Sequence, residues 1–516
     1  MRVPGLFFWM LAGGLSLPAQ NLKDFEKKVN EFSLPNGLHF IVLERHDAPV
    51  VSFHTYVNAG GMNDPAGHTG LARLLERLAF KGTETIGTRN WAEEKKALDA
   101  IEEVYDRMEA EANKGAKADR SRVDMLRTQV KLAVENARRS MVANEYLRIF
   151  EENGAAESTA QTSPAAAEFS FTLPSNRGEL WFLMESQRLL HPVFREFYEE
   201  RELSVDEYRQ RYESNPRGKL LGELVATAFK AYPYRNPATG WPGDLMSLRR
   251  GDAKAFFERY YVPGNITVAI AGDVSPPEIK RMAEHYFGPM AAKAIPPALH
   301  AEEPPQNGPR TTVVESSSQP MLAVAYKRPN QYDRDDIVFD VIQLMLAQGR
   351  TGLLYNDVVQ EKHVAVQAQA VATFPDGRGP NLFFFLLVPA PGHTVEENQQ
   401  ALEDLLQRFK TTSIDPRALG RAKAQGRAGL LRRLSGNGDM AGLLALHYAS
   451  YGDWRKLFST LDDLNAVTAN QVSRVANRYF VATGRTTAYS VLPGQSDAPR
   501  PAPKPQQAER KPGGAQ

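Results

Sequence analysis

The sequence predicts an α+β fold made of two similar halves, with mixed or antiparallel sheets packed against helices. Three observations predict it. Short apolar stretches of period two are interleaved with longer stretches repeating every three to four residues, the marks of strands and helices. Their order before a Pro-rich break at 296–309 is repeated in outline after it: strands first, then helices, then one apolar strand. At 516 residues the chain exceeds one ordinary domain, and 42% hydrophobic with 24% charged residues is a soluble globular composition.

Residues 1–20 read as an export signal, with Arg2 as the positive start, an apolar run at 6–15 and Ala19 as the cleavage point. Leu17 departs from the small residue expected three places before the cut. The protein is therefore expected to be exported, periplasmic or extracellular. The alternative is an uncleaved membrane anchor, although the run is short for a span.

The N-terminal half is expected over 21–295. Within 31–44, EFSL, the turn Pro35-Asn36-Gly37 and LHFIVLE read as a hairpin. The next strand, VVSFHTYV, puts Val51, Phe53, Thr55 and Val57 on one face. Asn63-Asp64-Pro65 then leads into a helix on which Leu71, Leu74, Leu75 and Leu78 form a buried stripe. Arg73, Glu76 and Arg77 share a different face of that helix, because residues three and four apart are neighbours.

From about 92 to 146 the chain is strongly charged. Leu98, Ile101, Tyr105 and Met108 mark one helical stripe, and Val123, Leu126 and Val130 mark another. Lys114-Gly115-Ala116-Lys117 breaks them apart, so an exposed antiparallel helical hairpin is expected as an insertion. Residues 160–172 read as a strand, 177–190 and 195–213 as helices, 250–261 as a helix and 265–274 as a clean apolar strand.

Residues 296–309 read as a linker and 310–495 as the C-terminal half. Its expected elements are a strand at 321–326, a helix at 335–347, a Gly-rich turn with a helix at 349–360, and strands at 365–374 and 381–389. Two further helices and a closing strand at 486–493 complete it. The tail 496–516 is rich in Pro, Ala, Lys and Gln and is expected to lack order.

Composition excludes several function classes. The net charge of +1 gives no electrostatic case for nucleic acid or for an anionic membrane. With no cysteine, disulfides, a lipid-modified N-terminal Cys and cysteine-ligated zinc are all excluded.

The stretch HTGLARLLERLAFKGT at 68–83 carries the chemistry. In the inverted zincin motif H-x-x-E-H, two His one helical turn apart hold zinc, and the Glu between them activates water. Here those slots hold Arg73, Glu76 and Arg77. The general-base position Glu76 is kept, but an arginine has no lone pair to give a metal. His68, five residues before Arg73, reads as a loop or capping histidine rather than a replacement ligand.

TGLARLLERLAFKGT, LPSNRGELWFLMESQRLLHPVFREFYEERELSVDE, AFKAYPYRNPATGW and RYYVPGNITVAIAGDV together resemble the pitrilysin/insulysin family, which includes the mitochondrial processing peptidases. The resemblance runs from about 27 to 492 and is stronger in the first half. It implies two similar α+β halves closing like a clamshell around an unfolded peptide. It also implies a third zinc-ligand position at Glu207, with Glu200 as a supporting acid. By the same resemblance Thr159, Ala160, Thr162 and Ser163 match a substrate-binding strand, within which Thr159 already departs from the family's Asn. Ala165, Ala167 and Phe169 depart from its Asp, Thr and Tyr. An Arg–Tyr pair that grips substrate from the second half has no counterpart near 381–391.

Active members of such a family use Zn2+; no cofactor is expected here. Removing a dication would leave Glu76, Glu200 and Glu207 repelling one another, and two guanidinium groups restore the positive charge as forked donors. Arg73 and Arg77 are therefore expected to pair with Glu207 and with Glu200. Three readings follow. The first is an inactive, exported, peptide-binding partner of a zinc-containing homologue; the second is an active metalloendopeptidase with a non-standard metal site; the third is a stand-alone peptide-binding protein.

Overall fold

The computed structural model describes residues 26–347 and 349–494. The expected signal at 1–20 and tail at 496–516 lie outside the described residues. Among the described residues no helix is long and apolar enough to cross a membrane.

The first sheet has six strands, β1 (Val29–Ser33), β2 (His39–Glu44), β3 (Val50–Val57), β4 (Glu157–Thr162), β5 (Ala167–Pro174) and β6 (Ile266–Gly272), in the order β1-β2-β6-β3-β5-β4. Helices interrupt and follow these strands. They are α1 (Leu71–Leu78), α2 (Trp91–Ala112), α3 (Arg120–Arg138), α4 (Glu145–Glu152), α5 (Gly178–Leu190), α6 (Phe197–Tyr208), α7 (Pro216–Ala228), α8 (Pro242–Ser247), α9 (Arg250–Tyr260) and α10 (Pro276–Phe287).

The second sheet has β7 (Arg310–Glu315), β8 (Leu322–Arg328), β9 (Ala365–Phe374), β10 (Asn381–Pro389) and β11 (Arg485–Val491), in the order β7-β11-β8-β10-β9. The helices that follow β8 along the chain are α11 (Asp336–Ala347), α12 (Val395–Thr411), α13 (Pro416–Arg433), α14 (Asn437–Tyr451), α15 (Lys456–Ala466) and α16 (Ala469–Tyr479).

Setting β1 aside, the two sheets have one topology. In the first, β2 pairs with β6 in parallel, and β6-β3-β5-β4 continue antiparallel. In the second, β7 pairs with β11 in parallel, and β11-β8-β10-β9 continue antiparallel. The chain visits the equivalent strands in the same sequence order, with α1 and α11 following equivalent strands. This is the duplication that the repeated pattern suggested.

The described chain divides into two compact units. One comprises the chain to Tyr208 with Pro237–Ala301 and Gly420–Thr468; the other comprises Arg209–Asn236, Glu302–Leu419 and the chain from Ala469. In the first unit both sheet faces are covered. Phe40, Val42, Val51 and Phe53 pack with Trp181, Phe182 and Phe287 on one side. Ile41, Leu43, Tyr56 and Ala269 meet Met440, Ala441 and Leu444 of α14 on the other. Alternate residues point to opposite faces, so β2 and β6 are buried at almost every position and read as unbroken apolar runs. At Gly442, α14 lies against His54, whose ring a Cβ would meet at an ordinary contact distance of 3.4 Å.

The structure corrects four expectations. Residues 160–172 are not one strand. They are the end of β4, a turn and most of β5, because the Ser163 hydroxyl accepts the N–H groups of Ala165 and Ala166 (3.1 and 3.0 Å) and folds the chain back. The charged helix begins at Phe197 rather than 195, after Glu196 at φ 55°, and ends at Tyr208 in a π turn spanning Arg209–Glu213. A strand, β7, lies between the linker and the strand expected at 321–326. Five helices, α12 to α16, occupy the stretch where two were expected. Residues 296–309 themselves contain neither helix nor strand.

Candidate functional site

The start of α1 is fixed by groups outside it. Gly70 has φ 89°, and a Cβ there would stand 2.4 Å from the Thr239 carbonyl oxygen, so only glycine fits. The Asp64 carboxylate accepts the N–H groups of Gly70 (2.7 Å) and Ala72 (2.9 Å), taking two donors that the first turn leaves unpaired. Thr69 donates its hydroxyl to Asp244 at 2.6 Å and accepts the Trp241 N–H at 2.9 Å. Leu71, Leu74, Leu75 and Leu78 are buried, as their spacing requires. Arg73, Glu76 and Arg77 are thereby turned towards α6.

On α6, Glu200 and Glu207 lie seven residues apart, two turns along one face. The facing side chains form a chain of alternating charge. Arg73 Nη1 donates to Glu76 Oε2 at 2.5 Å, and Arg73 Nη2 to Glu207 Oε1 at 3.1 Å. Arg77 Nε donates to Glu200 Oε2 at 2.8 Å, and Arg77 Nη1 reaches Glu207 Oε2 at 3.5 Å. Lys81 Nζ then bridges Glu200 Oε1 and Glu196 Oε2, each at 2.6 Å. Arg73 and Arg77 thus meet Glu207 and Glu200, with Glu76 joined through Arg73.

Sequence reasoning did not include Lys81 or Glu196 in this set. The signal was present: Arg73, Arg77 and Lys81 recur every four residues, and Glu196 stands four before Glu200.

The cluster is half shielded. The Glu76 and Glu200 side chains are 9% exposed, and those of Arg73 and Arg77 are 26% exposed. Burial works against the charge on Arg73, but Glu76 and Glu207 outweigh it and raise the proton affinity of the guanidinium above the ordinary value. Burial likewise opposes the Lys81 charge, and the hydrogen bonds to Glu196 and Glu200 reverse the balance.

These residues do not fit zinc. Two of the three ligand positions carry guanidinium groups without lone pairs, and the third, Glu207, is occupied as an acceptor for both of them. Among the described residues no group of three or more His, Asp or Glu stands where it could hold a metal ion. His68 does not join the cluster: Nδ1 faces the Ala66 carbonyl at 3.3 Å and Nε2 lies 3.7 Å from Asp252. Glu76 is held by Arg73.

Thr159, Ala160 and Thr162 lie on β4, an edge strand that among the described residues pairs only with β5 and that packs beside α1. Thr159 is exposed, while Ala160 and Thr162 are half-buried. Ser163 belongs to the turn after the strand. Ala165, Ala167 and Phe169 are buried core positions, with the Arg188 guanidinium 3.9 Å above the Phe169 ring. Their departure from the polar pattern is packing. The segment near 381–391 is β10, an apolar strand paired on both sides.

Two family models match the chain. One, described as insulinase (peptidase family M16), matches residues 40–110; the other, described as the peptidase M16 inactive domain, matches 247–425. The zinc protease PqqE of Helicobacter pylori is 25% identical over 482 residues, covering 92% of this chain and 95% of that protein. A crystal structure of a protease from Helicobacter pylori superposes with a TM-score of 0.75 at 23% identity, covering 90% of this chain and 99% of that one. A peptidase M16 inactive domain from Pseudomonas fluorescens superposes with a TM-score of 0.70 at 16% identity, covering 90% and 98%.

Proposed function

The chain belongs to the insulinase-like M16 peptidase family, and on that premise we propose that it is an exported, catalytically silent member that binds unfolded peptide as the partner subunit of a zinc-bearing homologue. One observation carries the reading: guanidinium groups fill both histidine positions of the motif and are consumed by the carboxylates that would otherwise serve the metal. A hydrolase of this design needs zinc to lower the pKa of its water. Glu76 on its own supplies a base without a nucleophile worth activating.

Peptide handling is supported by what the chain has kept. The outer edge of β4 carries backbone N–H and C=O groups with no strand partner among the described residues, and an extended peptide can add there with little demand on its sequence. The relative named as a zinc protease is similar across 95% of its own length, so the framework has been retained while the ligands have been exchanged. Export follows from the reading of residues 1–20.

The test is reconstitution. The purified chain, incubated with a flexible reporter peptide, should cleave nothing. It should co-purify with an H-x-x-E-H homologue from the same cell envelope and raise that partner's cleavage rate. Cleavage by the isolated chain, or the absence of such a homologue from cross-linked complexes, would refute the proposal.

A further inference from the structure

The helix α13 concentrates positive charge without acidic partners. Over Pro416–Arg433 it carries Arg417, Arg421, Lys423, Arg427, Arg432 and Arg433 and no acidic residue. Many arginines of the chain are matched to carboxylates, as with Arg188 and Glu185, Arg195 and Glu94, or Arg249 and Glu102. Within the part of α13 that belongs to the first unit, Arg421, Arg427, Arg432 and Arg433 are all exposed, and none forms an ion pair among the described residues. Lys423 is engaged, donating to the Asn465 carbonyl at 2.7 Å.

Arg421 and Arg432 stand eleven residues apart, three turns on the same face, about 16 Å along the axis. Ala424 and Ala428 lie exposed between them, and Arg427 and Arg433 flank the track. Adjacent like charges and three glycines (Gly420, Gly426 and Gly429) weaken the helix on its own account. A segment that breaks local rules without an internal compensation marks a place where something external supplies it.

The geometry points to a docking site on α13 for an acidic polypeptide segment, whose carboxylates are clamped by Arg421 and Arg432 with Arg427 and Arg433 at the flanks. The surface chemistry favours this occupant over the two other polyanions. Guanidinium forks match carboxylates in pairs. No aromatic side chain is interleaved on which a base could stack. The exposed positions between the arginines are alanines, not the large apolar side chains that enter a lipid surface. The net charge of +1 also gives no general attraction for nucleic acid.

The site is independent of the partner-subunit reading, because a strand-addition groove tolerates any sequence whereas this one demands acid. The intact protein is titrated against a fluorescein-labelled helical peptide of Glu and Ala, with the same peptide carrying Gln for Glu as control. Fluorescence anisotropy should show binding of the Glu peptide only, weakening as salt is raised. The double variant Arg421→Glu, Arg432→Glu should lose about tenfold in affinity and should bind a Lys-Ala peptide instead. The milder Arg421→Gln, Arg432→Gln should lose affinity without that switch, and both should melt with the unaltered protein because the positions are exposed. Equal binding of the Gln peptide, unchanged affinity in the variants, or tighter binding to duplex DNA or phosphatidylserine vesicles would overturn the proposal.

Discussion

Exchanging an imidazole for a guanidinium inverts what a side chain can offer its neighbours. The neutral ring donates a lone pair to a cation; the guanidinium carries the positive charge itself and donates hydrogens to anions. At positions 73 and 77 that inversion turns carboxylates from ligands into counter-ions. Removing one cation should then expose the repulsion it suppresses. Arg77→Ala strips Glu200 and Glu207 of a donor and should lower stability by about 2 kcal/mol, read as a fall in the urea midpoint. The converse substitution tests the scaffold. The double variant Arg73→His, Arg77→His should acquire zinc, since Glu207 already faces both positions, and dialysis against zinc followed by elemental analysis would show it. No uptake by a folded double variant would mean that the positions no longer converge. At this scale the cluster was legible in the sequence as far as Arg73, Glu76, Arg77, Glu200 and Glu207. Lys81 lay beyond the motif and beyond the end of α1, and Glu196 lay before the start of α6, so neither was drawn in.

Helices were legible where one face is wet and obscure where the whole circumference is dry or polar, whereas buried strands showed through their short apolar runs. The stripe of α1, the hairpin of α2 and α3 and the strands β9 and β10 follow from periodicity or from apolar length. The helix α14 has apolar residues around much of its circumference because it lies on a sheet, and α13 has so many arginines that no stripe stands out. The β4–β5 turn was hidden because its signal is a hydroxyl accepting two backbone N–H groups, not a glycine. The docking of α14 also carries a pH dependence. His39 stacks on Tyr448 with ring centroids 3.7 Å apart, and burial depresses its pKa, only partly opposed by Glu31. His447 is held low by burial too, with Arg433 and Lys456 adding to the effect and its hydrogen bond to the Leu443 carbonyl opposing it. Both rings are taken up neutral on folding, so the unfolded chain binds protons first as pH falls below the ordinary value of 6.5. The share of stability owed to these rings should be fully present above that value and decline below it, whereas the buried carboxyls of Asp64 and Asp340, pushed up to about 7, act in the opposite sense over the same range. The histidine share is therefore read by difference: between about pH 7.5 and about pH 5.5, His447→Gln should lose less urea midpoint, or gain more, than the unaltered protein. An identical pH dependence in the two proteins would exclude this assignment.

Across the whole chain, one topology appears twice, and only the first copy carries the charged cluster. Between β3 and β4 the helix α1 presents Arg73, Glu76 and Arg77; at the equivalent place α11 reads DIVFDVIQLMLA, largely apolar. The repeat was legible because both copies alternate strands and helices in one order. Its first strand in the second copy, β7, was missed because it is an edge strand with mostly polar, exposed residues. A duplicated peptidase framework with guanidinium groups in its ligand slots leads to one decisive measurement. Purified protein, equilibrated with excess zinc and freed of loosely held ions, is analysed for bound metal while its cleavage of a flexible peptide is followed with and without chelator. The expected result is no bound zinc and no cleavage under either condition. Stoichiometric zinc beside Glu76, with hydrolysis that a chelator abolishes, would contradict it.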